Sequence, residues 1–133
     1  MTSKLCYCTS LREATRRLTA VYDDTLAPTG VNVAQFSLLR TLERSGPLAL
    51  TEFGRLTELD RSTIGRNVKV LERMGLVALR AGDDRRESVA VLSKAGRRIL
   101  ASGAPLWEKA QNTVETKLGA VAAAHLRQAL QML

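Results

Sequence analysis

Six polar side chains lie close together near the middle of the chain: Arg61, Ser62, Thr63, Arg66, Asn67 and Lys69. Arginine and asparagine are the residues that form paired hydrogen bonds to purine edges, arginine to guanine and asparagine to adenine. Serine and threonine hydroxyls and the lysine ammonium suit phosphate oxygens. Within the same stretch Ile64, Val68 and Leu71 recur three or four residues apart, the spacing of a buried helical stripe. Asp60 stands where an N-cap belongs and Gly75 where a helix stops, so a helix is predicted from about Arg61 to Met74. Arg61, Ser62, Thr63 and Arg66 fall in its first half. Taken alone, the same charges would equally suit an ordinary solvated helix face.

A second basic group follows in the loop Gly82-Asp83-Asp84-Arg85-Arg86. The residues on either side change from helical period to alternation. Val77 and Leu79 share one face of the first run, and Val89 and Val91 share one face of the second. This reads as a β-hairpin with a basic tip. Arg85 and Arg86 can reach a minor groove, where narrow A·T tracts concentrate negative potential. Asp84 is placed to orient an arginine through a charge-assisted bond. Ahead of the polar helix a shorter one is expected from about Leu50 to Leu56, about three residues away, which is the connection length of a helix-turn-helix. A major groove admits one α-helix. A helix of this composition with a basic hairpin behind it points to duplex DNA, recognised by a symmetric protein at an inverted repeat.

The remaining reactive side chains are Cys6 and Cys8. They are too close in sequence to staple a fold, so a reducing compartment is expected. Arg12 follows Cys8 by one helical turn, and a cation on that face favours the thiolate. The competing reading is a small apolar cysteine packed at a dimer seam. The single histidine, His125, gives no metal-ligand set, and a thiol enzyme would lack an activating base. No metal, cofactor or enzymatic activity is therefore expected.

These groups need elements to hold them. The chain of 133 residues carries 20 Lys and Arg against 13 Asp and Glu, a net charge of +7 that favours a polyanionic partner. Aromatic residues are 4%, too few for single-strand binding on stacked rings. No apolar run nears the roughly 18 residues of a membrane helix, and the first residues lack a signal-peptide stretch, so a cytoplasmic location without membrane contact is expected. Helices are predicted over 9–27 and 35–43 ahead of the helix-turn-helix. Ser93 caps a further helix in which Pro105 causes a kink rather than an end, and Gly119 separates the last one. Leu118, Val121, Ala122, Leu126, Ala129 and Leu133 form an apolar stripe that asks for a second copy of the chain.

The segments Leu50-Thr51-Glu52-Phe53-Gly54, Asp60-Arg61-Ser62-Thr63-Ile64, Leu71 to Val77, Asp84-Arg85-Arg86 and Leu92 to Gly96 resemble, in order, the signature of MarR-family regulators. The resemblance covers about residues 31–100 closely and the flanks in pattern only. It implies a mainly α fold with a small β-hairpin wing, a winged helix-turn-helix in one domain over 1–133. About 31–100 would be the DNA-binding lobe, and about 5–27 and 101–133 the dimerisation helices. It further implies a homodimeric transcriptional repressor released by a small phenolic or other aromatic ligand, or by thiol oxidation. In the organic-peroxide-sensing branch a cysteine opens the first helix. Cys8 takes that position, and Tyr22 matches one of the tyrosines that support it. Two further tyrosines of that branch are replaced by Arg12 and Val33. Other departures are Glu58 where the turn usually has glycine, Ala49 where a hydroxyl cap is common, and Gly65 inside the DNA-reading helix. The wing also lacks the usual Asp-Pro. The redox alternative rests on Cys8 with Cys6, and a nonspecific DNA-binding protein is a further alternative.

Overall fold

A computed structural model of the chain describes residues 5–84 and 86–133. Its elements are α1 (Tyr7–Leu26), a 3-10 turn (Ala27–Thr29), α2 (Val33–Ser45), β1 (Leu48–Ala49), α3 (Leu50–Thr57), α4 (Arg61–Arg73), β2 (Val77–Ala81), β3 (Ser88–Leu92), α5 (Lys94–Leu118) and α6 (Ala120–Gln131). The fold is a winged helix-turn-helix, mainly helical, with one small antiparallel sheet in the order β1-β3-β2.

Several boundaries differ from the sequence pattern for identifiable reasons. α1 opens at Tyr7 rather than Thr9, with Cys6 as its N-cap. α2 opens at Val33 because Asn32 and Gln35 form a reciprocal capping box: each side chain accepts from the other's amide, at 2.8 and 3.0 Å. β1 was not predicted. It adds a third strand by pairing Leu48 with Ala90 and Ala49 with Val89. In β3 the residues turned to the core are Ala90 and Leu92, opposite Leu79 and Val77 of β2. Val89 and Val91 do share a face, but it is the outer, half-buried one. Directly paired residues of antiparallel strands point the same way, so the inward set on β2 fixes that on β3.

The lobe's core is built from α2, α3, α4 and the sheet. Phe36, Leu39, Leu42, Phe53, Ile64, Val68 and Leu71 are among its largest fully buried side chains, each worth roughly 1.5–3 kcal/mol. One hydrogen-bonded knot joins the elements. After α4, Ser93 donates its amide to the Leu76 carbonyl (3.0 Å) and its hydroxyl to the Gly75 carbonyl (2.7 Å). The same hydroxyl accepts from the Gly96 amide (3.0 Å), capping α5.

α5 runs unbroken for 25 residues with Pro105 inside it. Its inward face touches the lobe at backbone distance in two places. A Cβ on Gly96 would stand 2.3 Å from the Leu76 carbonyl oxygen, and one on Gly103 would stand 2.5 Å from the Phe36 ring. α1 packs along the far part of α5, and Tyr22 donates its hydroxyl hydrogen to Gln111 Oε1 across that seam.

The turn between α3 and α4 places Glu58 in the left-handed region at φ 55°, the one non-glycine with positive φ among the described residues. Its amide bonds back to Arg55, and that of Leu59 to Gly54, closing α3. A side chain in this conformation is strained and glycine is not. Glu58→Gly should therefore raise stability by up to ~1 kcal/mol, read as a higher urea midpoint at unchanged slope. An unchanged or lower midpoint would mean that the Glu58 side chain offsets its own backbone strain.

Candidate nucleic-acid interface

The polar set on α4 is held by Asp60. Its carboxylate accepts from the Thr63 amide (2.8 Å) and from the Ser62 hydroxyl (2.9 Å). The Thr63 amide, then the Ser62 and Thr63 side chains, hold its carboxyl below the usual carboxylate range. Two of the residues read from sequence thus take part in the cap. Ser62 is exposed with its hydroxyl engaged, and Thr63 is half-buried.

Arg61, Arg66 and Lys69 are exposed on the face opposite the Ile64, Val68 and Leu71 stripe. Arg66 Nη2 reaches the Thr63 hydroxyl at 3.4 Å, which draws it toward the start of the helix. Asn67 is half-buried, closer to the core side than its role as a base reader had suggested. Arg73 is exposed one turn beyond Lys69 and extends the cationic row, although the sequence reading passed over it. Among the described residues none of these four cations is ion-paired. The two ion pairs are Glu52 with Arg55 on α3, and Glu115 with Arg127 between α5 and α6. The row therefore keeps its full charge toward solvent.

The wing loop is closed at its base by the Gly82 amide on the Glu87 carbonyl (3.0 Å) and the Glu87 amide on the Asp84 carbonyl (2.8 Å). The Asp84 carboxylate was expected to orient an arginine side chain. Among the described residues it accepts from the main-chain amide of Arg86 at 3.1 Å, a local turn that stiffens the tip. Arg86 is exposed. Arg85 lies outside the described residues.

The cysteine group is only partly brought together. Cys6, Cys8 and Arg12 are exposed at the start of α1. The Thr9 hydroxyl, and then the amides of Thr9 and Cys8, lower the Cys6 thiol from its ordinary value, although none forms a capping hydrogen bond. Tyr22 stands 14 residues beyond Cys8 on the same helix, a rise of about 21 Å. It cannot touch that thiol within one chain, and its hydroxyl is directed to Gln111. Burial and the nearby Glu115 carboxylate raise the Tyr22 phenol above its ordinary value. Among the described residues no cluster of His, Cys, Asp or Glu could hold a metal, and no helix is long and apolar enough to cross a membrane.

The sequence profile of the MarR family matches residues 29–87, which run from the 3-10 turn through α4 to the wing loop. The transcriptional regulator MosR of M. tuberculosis, crystallised in complex with DNA, is 33% identical, with a TM-score of 0.82 over 96% of this chain and 98% of that one. The chain belongs to the MarR family. A probable transcriptional regulator from Pseudomonas aeruginosa is 29% identical, with a TM-score of 0.87 over 95% of each chain. An uncharacterised HTH-type transcriptional regulator of Bacillus subtilis is 31% identical over 84 residues, 63% of this chain and 61% of that protein's length. The MarR-family match falls on the elements that carry the cationic row and the wing. α1, α5 and α6 lie outside it and are matched by the whole-chain structural likenesses.

In this MarR-family helix the Asp60 cap titrates. Its pKa is depressed in the folded chain, so its stabilising effect is complete above the unfolded carboxylate value, about 3.9, and is lost as pH falls through the folded value. Asp60→Asn keeps an acceptor that does not titrate, whereas Asp60→Ala removes the cap. Thermal melts between pH 7 and pH 3 should show the wild-type lead over Asp60→Ala shrinking on acidification and the Asn variant's lead persisting. Parallel pH profiles for all three would remove Asp60 as the titrating cap.

Proposed function

We propose that the chain is a homodimeric, sequence-specific regulator of transcription that binds duplex DNA at an inverted repeat and acts as a repressor. The observation that carries this reading is the row of Arg61, Arg66, Lys69 and Arg73, without an ion-pair partner among the described residues and presented on a capped helix beside a basic wing. α4 enters the major groove with its first half, Arg66 meets a base edge, and the wing meets the neighbouring minor groove. The crystallised DNA complex of MosR, 33% identical to this chain, supports the assignment. One domain spans the chain, with residues of about 31–100 as the reading lobe and the flanking helices as its dimerisation arms.

The arms supply the case for a dimer. Val121 is 71% exposed, Leu130 48% and Leu118 42%, with Leu11, Leu18 and Leu126 exposed beside them. Burial of this continuous apolar face against a second copy removes a patch that would otherwise aggregate. The dimer then sets the two α4 helices to meet half-sites about 34 Å apart.

Release from DNA has two supported routes. A cleft of about 230 Å³ lies where α2 of the lobe meets α5, lined by Phe36, Arg40, Leu100 and Trp107, with the Arg40 guanidinium 4.0 Å above the Trp107 ring. That lining suits a small phenolic or other aromatic ligand. The second route is thiol oxidation, favoured by the exposed Cys6 with its lowered pKa two residues from exposed Cys8. A thiolate attacks the hydroperoxide oxygen, giving a sulfenic acid and an alcohol. The other thiol then displaces water to form a disulfide, so two thiols supply both electrons. Cys6 has extended backbone at the helix start, so this bond needs only the first turn of α1 to open.

Titration of the purified chain into its selected duplex should saturate at two chains per site. Arg66→Ala should lose ~1–3 kcal/mol and relax preference at one base position. Lys69→Ala should weaken all sequences alike and lower the salt slope by about one. Equal affinity for random duplex would replace the repressor with a nonspecific DNA-binding protein. Organic hydroperoxide should lower operator affinity in wild type and spare Cys6→Ser and Cys8→Ser. Loss in all three proteins, or in none, would leave the cysteines as packing residues and the α2–α5 cleft as the route of release.

A further inference from the structure

Four glycines lie inside helices, and three of them are required by the packing. A Cβ on Gly54 would stand 2.8 Å from the Leu59 carbonyl oxygen, one on Gly96 2.3 Å from that of Leu76, and one on Gly103 2.5 Å from the Phe36 ring. Gly65 is different. A Cβ there meets one atom only, the Arg61 guanidinium Nη1 at 3.1 Å, the far end of a flexible exposed side chain. Its backbone is ordinary right-handed helix, with no positive φ. Neither the conformation nor the core asks for glycine, yet a glycine in mid-helix costs about 1 kcal/mol against alanine. The cost is borne at a particular place. Residues 61, 65 and 69 are one turn apart and Arg66 adjoins residue 65, so Gly65 lies half-buried on the flank of the outward face of α4, between Arg61 and Lys69.

We propose that Gly65 is a specificity-determining notch that receives the 5-methyl group of a thymine when α4 lies in the major groove. The inference rests on the DNA-binding reading above and names what this flank of the helix recognises. The missing side chain leaves room for one methyl group, and the thymine methyl is the one apolar group that a base pair presents in the major groove. Arg61 lies over the notch in the free protein and Arg66 is its neighbour. A thymine seated there would have a guanidinium on each side, placed for adjacent bases or phosphates. A side chain at position 65 would hold the helix away from the base pairs and loosen these contacts together.

The test transfers a methyl group from the DNA to the protein. A duplex is selected from a random pool by the wild-type protein, and each thymine of a half-site is then replaced in turn by deoxyuridine, which lacks only the methyl. Gly65→Ala should raise the urea midpoint, because alanine is the better helix former, while lowering affinity for the selected duplex at least about fivefold. Deoxyuridine at one position of each half-site should restore most of that loss in the variant and weaken the wild type. A merely structural glycine predicts the opposite pairing, with lower stability and unchanged sequence preference. Unchanged affinity in a more stable Gly65→Ala protein, or a loss that no deoxyuridine restores, overturns the notch while leaving Arg66-dependent binding intact. A wild-type protein that enriches no sequence overturns the DNA reading and the notch with it.

Discussion

The main-chain carbonyls at the turn after α4 must find donors, and nearly everything in the lobe depends on how they do. Gly75 and Leu76 end one helix and start the wing, leaving carbonyl oxygens at a crowded junction. Ser93 supplies both donors, amide and hydroxyl, and uses the same hydroxyl to begin α5. One residue thereby satisfies groups from three elements that would each be costly to leave unmade. The end of α4, the first strand of the wing and the first turn of α5 become a single rigid corner. The register of β3 follows, since Leu92 opposite Val77 is the pair next to this corner.

With geometry set there, electrostatics decides what the outer surface can do. Two acidic residues near the start of α4 are already committed. Asp60 is engaged with the first turn of α4 and Glu52 with Arg55. The basic residues of α4 have no such partners among the described residues. A formal charge of +7 spread evenly would be unremarkable, but here part of it stands in one unneutralised row on a rigid helix. Such a row creates a directional field, which raises encounter rates with a polyanion and orients it before any specific contact forms.

The parts legible from sequence were those whose signals are local. The stripe Ile64, Val68, Leu71, the cap at Asp60, the stop at Gly75 and the cap at Ser93 each lie within a few residues of what they control. The parts that were not legible depend on distant partners or on too few residues. β1 has two residues, too short for any period, and exists because Ala90 and Val89 offer an unpaired edge. The inward face of β3 could not be chosen from an apolar run on both faces. Its pairing with β2 chose it. The start of α1 has no serine or aspartate at its N-cap to announce it, so both Cys6 and Cys8 were read ahead of the helix, and Cys8 was singled out by the family resemblance. Tyr22 meets Gln111, 89 positions away, a contact that no spacing rule predicts.

The two backbone-close contacts of α5 also limit how the molecule can move. Gly96 and Gly103 are two turns apart on one face, each pressed against a fixed group of the lobe. A helix seated in two notches can neither slide along its axis nor roll about it without collision. Repacking by a one-turn ratchet is therefore closed to it, and only rigid rotation remains. The helix of 25 residues is about 38 Å long, so a tilt of about 5° where the arms meet moves its far end by about 3 Å. α5 is in this sense a lever: a disturbance too small to break any contact in the arms arrives at the lobe as a displacement comparable to the depth of a side chain.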